Sequence, residues 1–360
     1  MLFYEGKEYS KQDLLRCVGN IEQIAYVKKL IIDTGKAESV KIFDINNGGG
    51  LEFSVMESKC LDIMDMKYKG INLRFLSKPG LVSVQHADLR GVNYTRSIAG
   101  GFMYTCGLSN VGAGYTDETA EHYTHGRLRF LPADQVCAEA KWKDDDYSIT
   151  IKGHIRDAGL FRDNIVIRRE IKTAFGGKTI LLNDEIENEG FGKQPYMIMY
   201  HVNLGFPLLD EGLEFLVPQY EIYPIHENSK IELENWNRIP GPIDHYNETA
   251  YIHKILMDKQ GFVYSGVYNH KLNLGLYIKN NAKELPHLLE WKSMMSGDYA
   301  FGIMPTNNFI MGRKREMELD NLKYIEPFEI KKNTIEFGII EGEESLREFR
   351  DKLNQCVIKP

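Results

Sequence analysis

The sequence predicts an all-β protein, a large antiparallel sandwich with a short helix near each end. Three observations carry that prediction. Apolar and polar residues alternate in short runs through the middle of the chain, Gly, Asn and Asp recur between those runs, and helical spacing is confined to the ends.

The elements follow in order. Ser10-Lys11-Gln12-Asp13 precedes Leu14, Leu15 and Val18, a capping-box-like start for a short helix that Gly19 would stop. Asn46-Asn47-Gly48-Gly49-Gly50 reads as a turn, as do Gly176-Gly177 and Asn280-Asn281. Tyr147, Ile149 and Ile151 alternate with Ser148, Thr150 and Lys152, the period of a strand with one buried face. Ile165 and Ile167, the stretch Thr179 to Glu189, Phe262 to Tyr264, Leu276 to Ile278 and Thr334 to Ile340 add further strands. Near the C-terminus Leu346, Phe349 and Leu353 sit at helical spacing behind Glu344-Ser345.

At 360 residues the chain exceeds the roughly 250–300 at which one core usually stops growing, so length alone leaves one very large domain or two. No internal repeat, low-complexity linker or charge block divides it. The expectation is therefore a continuous β domain over 34–360, with residues 1–33 as an N-terminal helical appendage.

A formal net charge of −7 argues against a nucleic-acid binder, which needs a basic face. The basic run Gly312-Arg313-Lys314-Arg315 is followed at once by Glu316 and Glu318 and reads as a solvated loop. The cysteines Cys17, Cys60, Cys106, Cys137 and Cys356 are odd in number, far apart and never in CxxC form, unlike a disulfide framework or zinc knuckle. The first residues lack a basic-then-apolar leader pattern, and no apolar run is long enough to span a bilayer. These features predict a reducing, cytoplasmic setting with neither membrane nor nucleic-acid partners.

No GxGxxG, GxxxxGK[ST], HExxH or GxSxG occurs, so motif chemistry reduces to acid–base groups. Four segments concentrate them. In Glu121 to Phe130, His125 precedes Gly126, and Arg127 and Arg129 would share one face of an extended strand. His122 and His125 lack the further ligands a metal needs. In Tyr196 to Pro207, His201 ends an apolar, aromatic strand before a Gly–Phe–Pro break, a place suited to a pocket-facing acid or base. Pro240 to Tyr246 is a rigid loop whose Asp244 and His245 face either a pocket or solvent. In Leu288 to Met295, Glu290 points to the opposite face from Leu289 and Trp291, as a poised base or as one member of an ion pair.

Taken in order, several stretches resemble the aldose 1-epimerase-like proteins of the galactose mutarotase superfamily. They are Gly50 to Val55 with Cys60 to Ile63, Gly100 to Leu108, His125-Gly126-Arg127, Tyr200 to Gly205, and Glu290-Trp291-Lys292 leading to Phe301 to Asn308. Together they span roughly residues 40–340. The resemblance implies a galactose mutarotase-like supersandwich and chemistry by side chains alone, with no cofactor or metal. It implies that His201 is the acid and that His125 and Arg96 hold the sugar, with Arg127, Asn203 and Asp244 in the substrate-binding set. Relatives usually carry Glu before the proline where this chain has Met304-Pro305, and Met accepts no proton. Either Glu290 takes that role, or another carboxylate such as Glu326 does, or the base is lost. Glu290 is the preferred base.

The implied reaction interconverts α and β anomers of a hexose or related sugar by acid–base ring opening. The rival is a carbohydrate-binding or sensing protein that kept the groove and lost the chemistry. Arg96, Arg127 and Arg129 leave an acidic or phosphorylated sugar open, and the chain is expected to be a monomer or homodimer.

Overall fold

Two antiparallel sheets pack across a shared apolar core in the computed structural model, which describes residues 2–4, 6–118 and 120–360. The larger sheet has eleven strands. Its main path runs 219–224, 249–255, 287–295, 298–306, 197–204, 103–108, 62–68, 51–56, 41–46 and 26–31. The smaller has eight, in the order 134–143, 146–158, 164–174, 179–188, 330–341, 274–281, 262–269 and 214–216.

The smaller sheet follows the alternation in its sequence. Along Thr179–Asn188 every second residue is buried, so Ile180, Leu182 and Ile186 enter the core while their neighbours lean outward. Across the interface they meet Phe53, Ile198, Val202 and Phe301 of the larger sheet. Phe102 and Phe337 touch edge to face, ring centroids 5.3 Å apart, and tie the sheets together. Burying a side chain of that size contributes about 1.5–3 kcal/mol.

The centre of the larger sheet is covered on both sides, and this positions the functional site. All eight residues of Met197–Leu204 and all six of Met103–Leu108 are buried. Ile198, Tyr200, Val202 and Leu204 point into the inter-sheet core, whereas Met197 and Met199 join Tyr104, Cys106, Leu289 and Met304 in an outer apolar layer. His201, two residues beyond Met199, projects into that outer layer.

One polar cluster lies inside the core. Arg169 donates from Nε and Nη2 to Asp184 at 2.8 and 2.7 Å, and from Nη1 to the Cys60 carbonyl at 2.9 Å and Asp62 at 3.0 Å. Thr105 donates its N–H and hydroxyl to Asp62, and the Tyr200 hydroxyl donates to Asp184. One guanidinium thus joins three strands drawn from both sheets, 164–174, 179–188 and 62–68.

The terminal helices form as read. Ser10 caps Lys11–Cys17 by accepting from the Asp13 N–H at 3.1 Å, and Gly342–Asn354 buries Leu346 and Phe349. Residues 1–33 are not wholly helical: Leu2–Tyr4 pairs with Lys7–Tyr9 in a small two-stranded sheet. Tyr26–Ile31 is a strand that pairs with Lys41–Asn46 and forms the edge of the larger sheet. Its Lys28 and Lys29 are exposed, the charged edge that discourages further pairing. No described helix is long and apolar enough to cross a membrane.

Candidate functional site

The pairing of 103–108 with 197–204 sets Tyr104 opposite His201, and their rings stack 4.3 Å apart. His125 approaches His201 edge-on at 6.0 Å, and Trp291 closes another side at 5.9 Å. Tyr94, from the 3-10 turn Gly91–Ser97, lies 6.3 Å from His125. Over this wall sits Arg129, its guanidinium 4.3 Å from the Tyr94 ring and 5.2 Å from Tyr104. A cluster of aromatic rings around two imidazoles and one guanidinium results, on the outer face of the larger sheet. That combination suits a sugar, whose apolar ring faces stack and whose hydroxyls need directed partners.

The backbone holds His125 tightly. The residue is in the left-handed region (φ 59°), its N–H donates to the Gly112 carbonyl, and its carbonyl accepts from the Gly107 N–H. Its Nδ1 accepts from the Gly112 N–H at 3.2 Å, so in the neutral ring the proton sits on Nε2 as a donor. Gly126 follows with φ 73°, and a Cβ there would fall 2.0 Å from the Gly107 carbonyl oxygen. Gly126→Ala is therefore expected to lower stability by about 1–3 kcal/mol and to displace His125. Thermal unfolding checks the first, and a wild-type-like melting curve would contradict it.

This kink also corrects the expectation that Arg127 and Arg129 share one face of a strand. Leu128–Phe130 is a 3-10 turn, so the two arginines diverge. Arg127 pairs with Asp157 and lines a separate cleft of about 970 Å³ beside Arg162, Phe161 and Phe191, which His125, Arg129 and His201 do not line. Arg129 turns inward to 5 % exposure.

The electrostatics follow from burial. The His201 Nδ1 is buried without a hydrogen-bond partner, as are Nε and Nη2 of Arg129. Burial, then the charges of His125 and Arg129, holds the His201 ring well below its ordinary pKa. Burial and Arg129 bring His125 down to about 3. Both imidazoles are neutral at pH 7. Burial also pushes Tyr94 up to about 12 and raises Tyr104 well above its ordinary value, so both keep their hydroxyl protons.

The structure brings His201 and His125 together and separates the other residues read from sequence. Arg96 is exposed on the turn that carries Tyr94. Asn203 donates its amide to the carbonyls of Gly101 and His201, both at 3.1 Å, so it supports the strand beneath the pocket. Asp244 is exposed in a loop whose Ile243 bonds to Met294 and Ser296. Glu326 is half-exposed and pairs with Lys193.

Glu290 is the main correction. It is fully buried on the interior face of its strand, accepts from His253 Nε2 at 2.8 Å and lies 3.6 Å from the Lys292 ammonium. Trp291, on the other face, is the residue that reaches His201. A carboxylate and an imidazole on opposite faces of one sheet cannot serve one ligand. Glu290→Gln is expected to lower stability by about 3–5 kcal/mol, as removing one member of a buried pair does. Any sugar turnover per folded molecule should stay unchanged, and its loss in that variant would return Glu290 to the site.

Met304 does belong to the site face. With Met199 paired to Thr306 and Val202 to Ile303, the register sets Met304 across from His201, within the outer apolar layer. A carboxylate of the site side comes instead from Glu248, exposed at the rim, which accepts from the Trp291 indole N–H at 2.9 Å and whose charge reaches Tyr94. Sequence reasoning left out Glu248, Tyr94, Tyr104 and Trp291. Only Trp291 carried a signal, its strand parity opposite to Glu290. Among the described residues no three His, Cys, Asp or Glu side chains are grouped to hold a metal.

Such a pair of packed sheets is a galactose mutarotase-like β-sandwich fold. Residues 37–339 match the family described as "Domain of unknown function (DUF4432)", and the chain belongs to that family. The structure is similar to a Klebsiella pneumoniae protein described as a candidate aldose 1-epimerase, at 22 % identity and a TM-score of 0.89, over 94 % of this chain and 90 % of that one. It is also similar to a galactose mutarotase-like protein from Clostridium acetobutylicum (14 %, TM-score 0.62, 88 % and 99 % covered). A galactose 1-epimerase from Lactobacillus acidophilus matches as well (12 %, TM-score 0.56, 89 % and 100 % covered). At these identities the likeness speaks to the fold. No curated protein matches the sequence.

Proposed function

We propose that this chain is an aldose 1-epimerase that interconverts the α and β anomers of a pyranose in the cytoplasm, with His201 moving the proton. The observation that carries the reading is the unpartnered, buried His201 Nδ1 set among Tyr104, Trp291 and His125, with Arg129 over Tyr104. Five unpaired cysteines suit a reducing compartment.

Ring opening moves one proton. The C1 hydroxyl gives up its proton, the C1–O5 bond breaks to leave an aldehyde, and O5 takes up a proton. Rotation about C1–C2 and the reverse steps close the ring on the other face. O1 and O5 are bonded to the same carbon, so one imidazole can take the proton from the first and return it to the second. His201 is neutral and ready to accept. The Nε2–H of His125 and the free N–H groups of Arg129 are donors for the oxygen on which negative charge develops. Stacking on Trp291 and Tyr104 orients the ring.

The second reading is a sugar-binding protein without turnover, and the observation favouring it is Met304 opposite His201 where a carboxylate would stand. Saturation-transfer NMR on glucose, galactose, glucose 6-phosphate and glucuronate separates the two. Exchange above the spontaneous rate for any of them supports the epimerase. Binding without added exchange leaves only the second reading.

A further inference from the structure

Beside Arg129 and Tyr104 lies a charged group that ring opening does not use. Lys59, in the turn before strand Asp62–Tyr68, is only 5 % exposed. Its ammonium lies 5.0 Å from the Phe130 ring centroid, and the Arg129 guanidinium lies 4.9 Å from the same ring. Among the described residues, no carboxylate is within 4.0 Å of either cation. The acids near Lys59 in sequence are engaged elsewhere: Glu57 with Lys29 and Lys41, Asp62 with Thr105 and Arg169. The hydrogen bond of Arg129, from Nη1 to the Tyr94 hydroxyl at 3.3 Å, leaves Nε and Nη2 unpartnered.

Two buried cations against one aromatic ring, with no carboxylate paired to either, are costly, and folding gains little from that arrangement. Burial and the Arg129 charge bring the Lys59 ammonium down to about 8, against a smaller opposing pull from Asp62. A small void of about 20 Å³ borders both cations, lined also by Tyr104, Ser97, Gly100 and Asp62, whose carboxylate is taken up by Thr105 and Arg169. That is room for one or two oxygen atoms. The Tyr104 ring that borders the void is the ring that stacks on His201.

We propose that Lys59 and Arg129 form an anion subsite beside His201, so that the sugar this chain takes carries an acidic group, a carboxylate or a phosphoryl. The proposal rests on the reading that the His201 pocket binds a sugar, and it adds the class of that sugar. The bound anion supplies the missing counter-charge. It also offsets the Arg129 charge that helps hold His201 and His125 neutral, bringing His201 closer to the range in which it can both take and return a proton.

Isothermal calorimetry with glucose, glucuronate and glucose 6-phosphate tests this on the wild type and on Lys59→Gln. At least one acidic sugar is expected to bind about tenfold or more tighter than glucose, the scale of one charge-assisted hydrogen bond. Which acidic sugar binds tighter identifies the anion as carboxylate or phosphoryl. In Lys59→Gln the preference should fall to about threefold or less, with glucose affinity unchanged. Equal affinity for acidic and neutral sugars, or a preference that survives in Lys59→Gln, overturns the proposal. If that variant does not fold, the wild type decides: affinity for the acidic sugar should fall between pH 7 and about 9 as Lys59 loses its proton while that for glucose holds, and parallel curves overturn it. Exchange of neutral aldoses with no acidic preference rejects the subsite alone. An acidic preference without exchange rejects only the epimerase, and binding of none of the sugars rejects both.

Discussion

Replacing His201 by asparagine is expected to lower the catalysed anomer exchange by about 10²–10⁴-fold, the usual contribution of a positioned acid–base group. The pocket should survive the change. The imidazole accepts no hydrogen bond at Nδ1, and its neighbours are fixed independently, Tyr104 by its own strand and His125 by backbone bonds. Stability should shift by less than about 1 kcal/mol, so lost exchange reports chemistry. Rates from saturation-transfer NMR and denaturant unfolding of the same preparation settle it. A wild-type rate in a folded His201→Asn protein would remove the imidazole from the mechanism. The same ring makes a prediction for pH. His201 and His125, with His287 at about 4, all have folded pKa values below the ordinary 6.5. In the unfolded chain they take up protons as pH falls through 6.5, while in the folded chain they do so only at lower pH, His287 at about 4 and His125 at about 3. Stability should therefore be full above about pH 7 and decline as pH drops from 6.5 toward 4.

The fold was legible because its signals are local. The alternation through Tyr147, Ile149 and Ile151 and the Asn–Gly-rich turns state the strand period directly. The wholly buried strand Met197–Leu204 reads as a continuous apolar run for the same reason that its outer face can carry a site. The site was legible only in part. His201 stands out as a titratable residue in that run, and His125 by the glycine after it. Arg129 and Arg127 look alike in sequence, and a single 3-10 turn, driven by the positive φ of His125 and Gly126, sends one into the pocket and the other to Asp157. Glu290 shows the opposite failure. Strand parity correctly set it apart from Trp291, yet which of the two faces His201 depends on which side of the sheet meets the core, and that is decided by partners far away in sequence. Glu248 and Tyr94 lie in a loop and a short turn with no period, so nothing local marked them.

Arg169→Met should be strongly destabilising, costing about 3–5 kcal/mol at neutral pH, because it leaves the buried Asp62 and Asp184 facing each other without a cation. The methionine fills much of the volume, so the loss is electrostatic rather than a cavity. Its pH dependence distinguishes it from a packing defect. Burial already lifts Asp62 to about 6 against the pull of Arg169 and Thr105. A folded carboxyl raised above its unfolded value is protonated first in the native state, so its penalty is present at neutral pH and fades as pH falls from about 6 toward 4. Removing Arg169 raises it further, and the gap between variant and wild type should narrow on acidification. Urea unfolding at neutral pH and near pH 5 measures both quantities, and a cost below about 1 kcal/mol, or one indifferent to pH, would deny the network its role. Thr105 and Tyr200 belong to this cluster and directly adjoin Tyr104 and His201 in their strands. The hydrogen bonds that hold the two inward residues also hold the register of their outward neighbours. A folded Arg169→Met protein should therefore lose anomer exchange as well, although no atom of Arg169 reaches the pocket.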